Sequence, residues 1–193
     1  MEAKFCRESR AVQTHRILPF HCNMHQTLYG GQLMEFIDNC ASITVSRHTR
    51  SLCVTASMDQ LNFIRPLHLS DSVCVETIVT GTGRTSVEVL AKVVGERLET
   101  GERYLAATAF LTFVAIDETG ASVEVAPIQP EGPEEIFVCA GYPERQAKRM
   151  AERKASAQFQ SGLNLDFPWD IHWRQTPAFL SKCQIYSLHL AEN

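Results

Sequence analysis

From Leu33 to Val45 the apolar positions are 33, 34, 36, 37, 40, 41, 43 and 45. On a helical period they occupy most of the circumference, so the helix has little polar surface to offer water and must be wrapped by the rest of the chain. Gly30-Gly31 opens the segment. It fades at Arg47-His48-Thr49-Arg50, where cations suit the negative end of a helix. The wrapping material follows at once. Leu52–Ala56 and Asp59–Ile64 read as strand before Pro66. Val73, Val75, Thr77 and Val79 then alternate with Cys74, Glu76, Ile78 and Thr80 up to a turn at Gly81-Thr82-Gly83. Val87, Val89, Ala91 and Val93 alternate again, Glu99-Thr100-Gly101-Glu102 makes a second hairpin, and Leu105 to Ile116 is a third long strand. Strands of roughly ten residues exceed the usual ~5–6, and long paired strands twist and curl. The fold class is therefore α+β: a long antiparallel sheet wrapped around one central helix.

The flanks are less regular. Residues 9–16 read as a short first strand and 17–29 as a loop. Pro127, Pro130 and Pro133 mark a linker, and Pro143 to about Gln160 has helical composition with a basic stripe. The expected organisation is a main domain over 8–120, a linker and basic C-terminal helix over 121–160, and a tail over 161–193 that carries both tryptophans and has no assignable role. With 193 residues, 45% hydrophobic and 21% charged, the chain is too ordinary for a fibrous or disordered protein. No apolar run reaches the roughly 18 residues of a membrane helix, so no membrane insertion is expected. Met1–Glu8 lacks the apolar stretch of a signal peptide, so the expected location is cytoplasmic. A net charge of −4 argues against nucleic acid as partner. The seven cysteines are scattered without a CxxC pair, which excludes zinc ribbons and thioredoxin-like sites and leaves free thiols. Thirteen of the 18 basic residues are Arg, five basic residues fall between Arg145 and Lys154, and guanidinium forks suit phosphate oxygens.

Chemistry concentrates in Asn23 to Asp38. Asp38 lies in the apolar helix with Met34, Ala41 and Ser42 as neighbours. A carboxylate there must be hydrogen-bonded, paired or functional, so it marks either a polar seam or subunit interface, or a catalytic group. Gly30 and Gly31 allow close backbone approach and present helix N-terminal N–H groups to a carbonyl, or they simply make the turn into the helix. Asn23 either orients a water or carbonyl or shapes its loop. His21 and His25 stand four apart in a loop without the glutamate of a zinc helix, so no metal is expected. Gly81 to Ser86 mimics a dinucleotide fingerprint, but alternating strand follows where that motif needs a helix. Its Arg84-Thr85-Ser86 offers one charge and two hydroxyls to a phosphate, unless it is a plain hairpin.

These segments resemble the acyl-CoA thioesterase family of the hotdog fold, both its single-domain bacterial acyl-CoA hydrolases and each half of the mammalian cytosolic (brain-type) enzyme. The resemblance runs from about residue 8 to 154. It is carried by Asn23 through Gly31, Met34-Glu35-Phe36-Ile37-Asp38, Thr55-Ala56-Ser57-Met58-Asp59, Gly83-Arg84-Thr85-Ser86-Val87-Glu88-Val89 and Thr112-Phe113-Val114-Ala115-Ile116-Asp117. It implies hydrolysis of fatty acyl-CoA to free fatty acid and CoA, within fatty acid metabolism. It further implies Asn23 and Asp38 as a catalytic pair meeting across a homodimer, Asp38 as general base or nucleophile, and Gly30/Gly31 polarising the thioester. Arg84, Thr85 and Ser86 match the family's CoA-contacting segment, with Arg149 a further CoA-binding candidate, and the family commonly forms trimers of dimers. No cofactor is implied, coenzyme A being part of the substrate. Glu35 departs from the pattern by adding a carboxylate near Asp38, either solvated or acting on it. Two alternatives attach to the same fold. One is a non-catalytic acyl-CoA sensor, whose usual DNA-binding module has no room before the first strand. The other is an enoyl-CoA hydratase or dehydratase, which needs a His that this helix lacks before His48.

Overall fold

Five antiparallel strands curl against one long helix in the computed structural model, which describes residues 1–164. The chain begins with β1 (Lys4–Phe5), the single turn α1 (Cys6–Ser9) and β2 (Ala11–Arg16). A loop leads into α2 (Gly30–Thr49), which stops at Arg50, left-handed at φ 56°. β3 (Leu52–Phe63), β4 (Ser72–Thr82), β5 (Ser86–Glu96) and β6 (Arg103–Ile116) follow, then β7 (Ile128–Gln129), α3 (Pro133–Ala140) and α4 (Tyr142–Ser161). The sheet runs in the order β2-β4-β5-β6-β3. Residues 57–58, where a break was expected, pair regularly with β6 within one continuous strand, β3, whose irregularities are a β-bulge at Ala56 and a second shift between Asp59 and Asn62.

α2 touches all five strands. It buries Leu33, Phe36, Ile37, Cys40, Ala41, Thr44, Val45 and His48. The polar members of that face are satisfied across the contact: Thr44 and Thr77 hydroxyls lie 2.7 Å apart, and Cys40 Sγ is 3.4 Å from the Val75 carbonyl. The opposite face is open within one chain. Met34 is 41% exposed, Glu35 and Asn39 are exposed, and Asp38 is half-buried. The sheet thus covers less of the helix than its composition demands, because the sheet ends at β3 beside it.

The second face of the sheet is covered too, which strand alternation did not anticipate. Ile78, Thr80, Glu88 and Leu90 are buried along with their valine neighbours. The cover comes from residues 121–146, where a linker and the start of the basic helix were expected. β7 pairs in parallel with β1, and Glu135 at the start of α3 is buried, accepting from Arg10 at 2.9 Å and from the Glu131 and Gly132 N–H groups. Burial alone would raise the carboxyl pKa of Glu135, but those two N–H groups and Arg10 outweigh it and hold the group low. Tyr142 lies where a side chain on Gly81 would be, 2.1 Å from an ideal Cβ, so only glycine fits that point of β4. Arg145, expected among phosphate-binding residues, is committed to the core: Nε and Nη2 donate to buried Glu88 Oε1 at 3.0 and 2.8 Å.

This compact unit spans Met1–Gln146, and a second begins at Ala147. In the second, Lys148 and Glu152 pair one turn apart at 3.8 Å. The tail with Phe167-Pro168-Trp169 and Trp173 falls beyond the described residues. Among the described residues no helix is long and apolar enough to cross a membrane.

Candidate active site

The start of α2 is bare. Its N-cap, Tyr29, is extended and makes no side-chain cap, and the first intrahelical bond is Leu33 N–H to the Tyr29 carbonyl at 3.1 Å. The N–H groups of Gly30, Gly31 and Gln32 therefore have no acceptor inside the helix and sit at its positive end. Two aromatic rings frame them. A Cβ on Gly31 would stand 2.9 Å from Tyr29 Cε1, so a side chain there would displace the ring, and Phe63 Cζ is 3.5 Å from the equivalent point on Gly30. Beside Gly30 opens a cavity of about 430 Å³, walled mainly by Leu28, Leu33, Phe63 and residues 64–67.

Asp38 lies on the same helix, two turns further, on the face shared with Gly31 and Met34. Its Oδ1 accepts a hydrogen bond from Thr55 Oγ1 at 2.9 Å. Its other oxygen has no hydrogen-bond partner among the described residues. Thr55 occupies the last regular position of β3 before the bulge: it pairs with Phe113, Ser57 pairs with Thr112, and Ala56 is the extra residue. Bulges re-aim side chains, and here one delivers a hydroxyl to the helix. Sequence reasoning assigns Thr55 no role; the only signal was its place in the Thr-Ala-Ser-Met-Asp motif. Glu35 turns to solvent, held by Gln32 Nε2 at 2.7 Å.

Within one chain Asn23 serves its own loop. Its Oδ1 accepts the His25 and Thr27 N–H groups at 2.9 and 3.3 Å, and its Nδ2 donates to Thr27 Oγ1 at 3.0 Å. No hydrogen bond joins it to Asp38. The β4–β5 hairpin closes through Gly83 N–H to the Ser86 carbonyl at 2.8 Å. The carbonyls of Thr85 and Arg84 accept from Ala115 and Val125 at 2.9 and 3.0 Å. These bonds fix the backbone, leaving Arg84 exposed and Thr85 and Ser86 half-exposed. Arg149 is half-buried and belongs to the second unit. His21 lies edge-on to Phe36, His25 is exposed, and among the described residues no three His, Cys, Asp or Glu converge as a metal set. His48, at the far end of α2, is buried against the Ala126 carbonyl at 2.9 Å; desolvation lowers its pKa, and Lys4 adds to the effect.

Residues 25–102 match the Thioesterase superfamily. A Bacillus subtilis protein described as the uncharacterized acyl-CoA thioester hydrolase YkhA is 46% identical over 168 residues, 87% of this chain and 98% of that one. The human cytosolic acyl coenzyme A thioester hydrolase is 30% identical over 129 residues, 66% of this chain and 34% of that protein. Among solved structures, an acyl-CoA hydrolase from Bacillus cereus has a TM-score of 0.83 at 40% identity, covering 85% of this chain and all of its own. The acyl-CoA hydrolase of Staphylococcus aureus, in complex with butyryl coenzyme A, coenzyme A and coenzyme A disulfide, has a TM-score of 0.80 at 32% identity, covering 82% and 97%. It is also known as single alanine variants at an Asp, a Thr and an Asn. A hexameric acyl-CoA thioesterase has a TM-score of 0.77 at 36% identity, covering 79% and 98%.

Proposed function

Because this chain belongs to the hotdog family of acyl-CoA thioester hydrolases and is a thioester hydrolase, we propose a reaction course built on α2. The thioester carbonyl oxygen sits at the uncapped N–H groups of Gly30 and Gly31, which stabilise the oxyanion as the tetrahedral intermediate forms. Asp38 acts through the oxygen that Thr55 leaves open. It either takes a proton from water as the water oxygen bonds the acyl carbon, or attacks that carbon itself and is freed by water later. The carbon–sulfur bond then breaks. The CoA thiolate is a good leaving group, so neither a strong acid nor a cofactor is required. The observation that carries this reading is a carboxylate with one oxygen oriented and one open, on the helix whose N-terminus is bare.

Asn23 completes the site from a second copy of the chain, where it holds the water or carbonyl in register. β3 is an edge strand with Leu52 and Val54 60% and 47% exposed, and it borders the open face of α2, so one partner chain would cover both. The assembly is a homodimer at minimum, and a trimer of dimers fits the hexameric neighbour. The residue types replaced in the Staphylococcus aureus hydrolase also support the reading: Asn, Asp and Thr, spaced fifteen and seventeen positions apart there, as Asn23, Asp38 and Thr55 are here. Arg84, Thr85 and Ser86 take the CoA moiety, and the enzyme works on fatty acyl-CoA in the cytoplasm.

Thiol release from a panel of acyl-CoAs tests the activity, and subunit mixing tests the shared site. Asn23→Ala and Asp38→Ala proteins, each inactive, are co-expressed. Dimers holding one of each contain one site with both residues intact, so activity returns. Failure to recover any would mean the two residues do not meet across chains.

A further inference from the structure

We infer that Phe63 is the residue that sets acyl-chain length, by forming the movable wall of an alkyl pocket beside Gly30; this rests on the proposed docking of the thioester at that helix start. The cavity of about 430 Å³ begins at Gly30, so a carbonyl held there must send one of its two substituents into it. The walls select which. Leu28, Leu33, Phe63, Ile64, Pro66 and Leu67 make most of the wall apolar, with Thr27 and Arg65 as its polar side chains, so it suits an alkyl chain better than the two pantetheine amides, whose burial without enough partners is costly.

Two sides of this pocket differ in how firmly they are held. Residues 64–67 are pinned. Ile64 and Arg65 N–H groups both reach the Ala106 carbonyl, at 2.9 and 3.1 Å, and Leu28 N–H binds the Leu67 carbonyl at 2.8 Å. Arg65 lies over the Tyr104 ring at 4.3 Å and pairs with Glu102 at 3.1 Å. Tyr104 Oη in turn donates toward the Pro66 carbonyl and buried Asp71. The Phe63 backbone pairs with Ala107 of β6, but its ring is held by none of these contacts. Phe63 follows the irregular stretch of β3 in which Gln60 takes φ 50°, it is 60% exposed in the single chain, and its Cζ lies 3.5 Å from where a Cβ on Gly30 would stand. Trimming that ring lengthens the pocket without disturbing the far wall, and enlarging it shortens the pocket.

Wild-type, Phe63→Ala and Phe63→Trp proteins are assayed by thiol release on butyryl-, octanoyl- and dodecanoyl-CoA, with free CoA as inhibitor. Circular dichroism and size-exclusion chromatography first establish that both variants keep the wild-type fold and assembly. The expected result is a rise of about tenfold in the dodecanoyl-to-butyryl ratio of kcat/KM for Phe63→Ala and a fall of similar size for Phe63→Trp. If thiol is released but the ratio stays fixed in both variants, the inference is wrong. A uniform change in KM together with altered CoA inhibition would put pantetheine in the cavity and overturns it as well. If the wild type releases thiol from none of the three, the proposed function falls and the inference with it.

Discussion

Two carboxylates on neighbouring layers of this protein have opposite surroundings. Glu88, midway along β5, has a side chain with no exposure, and its Oε1 accepts Arg145 through two nitrogens and the Thr80 hydroxyl at 2.7 Å. Arg145 is itself spent, lying over the Phe110 ring at 4.1 Å and donating to the Val138 carbonyl at 2.8 Å. Asp38 is half-buried on α2 and receives one hydroxyl, from Thr55. A carboxylate with no exposure and a guanidinium against it is closed to a substrate; its role is to hold the first turn of α4 to the sheet. A carboxylate oriented through one oxygen keeps the other for chemistry. Charge and burial together do not separate the two, whereas spare hydrogen-bonding capacity makes Asp38 the candidate.

The sharpest way to break this contrast is at the Glu88–Arg145 pair. Arg145→Ala leaves Glu88 buried without its partner and should cost about 3–5 kcal/mol of stability, read as a lowered denaturant midpoint. An unmoved midpoint would show that water replaces the guanidinium and that the pair is not structural. Asp38→Asn should do the reverse, losing roughly 10²-fold or more in kcat while the melting temperature hardly changes. Turnover at the wild-type rate would remove Asp38 from the mechanism. Thr55→Val should lower kcat about tenfold, the scale of one hydrogen bond to a charged group, with KM little altered. Thr55→Ser should restore most of the rate, since it restores the hydroxyl; rescue is the outcome a purely structural role does not predict.

The smallest effect expected is a pH dependence at the far end of α2. Burial lowers the pKa of His48 below its ordinary 6.5, so between that lowered value and 6.5 the unfolded chain binds the proton and the native chain does not. Stability from this site is full above pH 6.5 and declines as pH falls through the window. Thermal unfolding followed from pH 7.5 down to 5 should show a decline that His48→Gln flattens. Equal slopes in the two proteins would assign it to other groups.

Much of the fold was legible because each signal was local. The helix from Gly30, the two hairpins and the long strands follow from apolar periodicity and from glycines at turns. The linker reading of residues 121–140 missed because Glu135, buried by its bonds to Arg10 and two N–H groups, looks in sequence like one more surface acid. Arg145 misled for the same reason: a basic stripe reads as a phosphate-binding face until a buried Glu88 lies opposite one of its members. In the candidate site, Asp38, Gly30 and Gly31 could be picked out because a carboxylate and a glycine pair are conspicuous in an apolar helix. Thr55 and Phe63 could not, since a Thr and a Phe are unremarked in any strand.

The sequence by itself determined that one apolar helix packs against a long-stranded antiparallel sheet, because the helix has little polar surface and long alternating strands joined by hairpins follow it at once. Its ordered motifs also carried the family. Tertiary structure alone decided which groups meet. A one-residue bulge at Ala56 sets the Thr55 hydroxyl against Asp38, and an irregularity near Gln60 precedes the Phe63 ring beside Gly30. Such slips in register change which way a side chain points, and they depend on pairing with β6, which lies some fifty residues further along the chain.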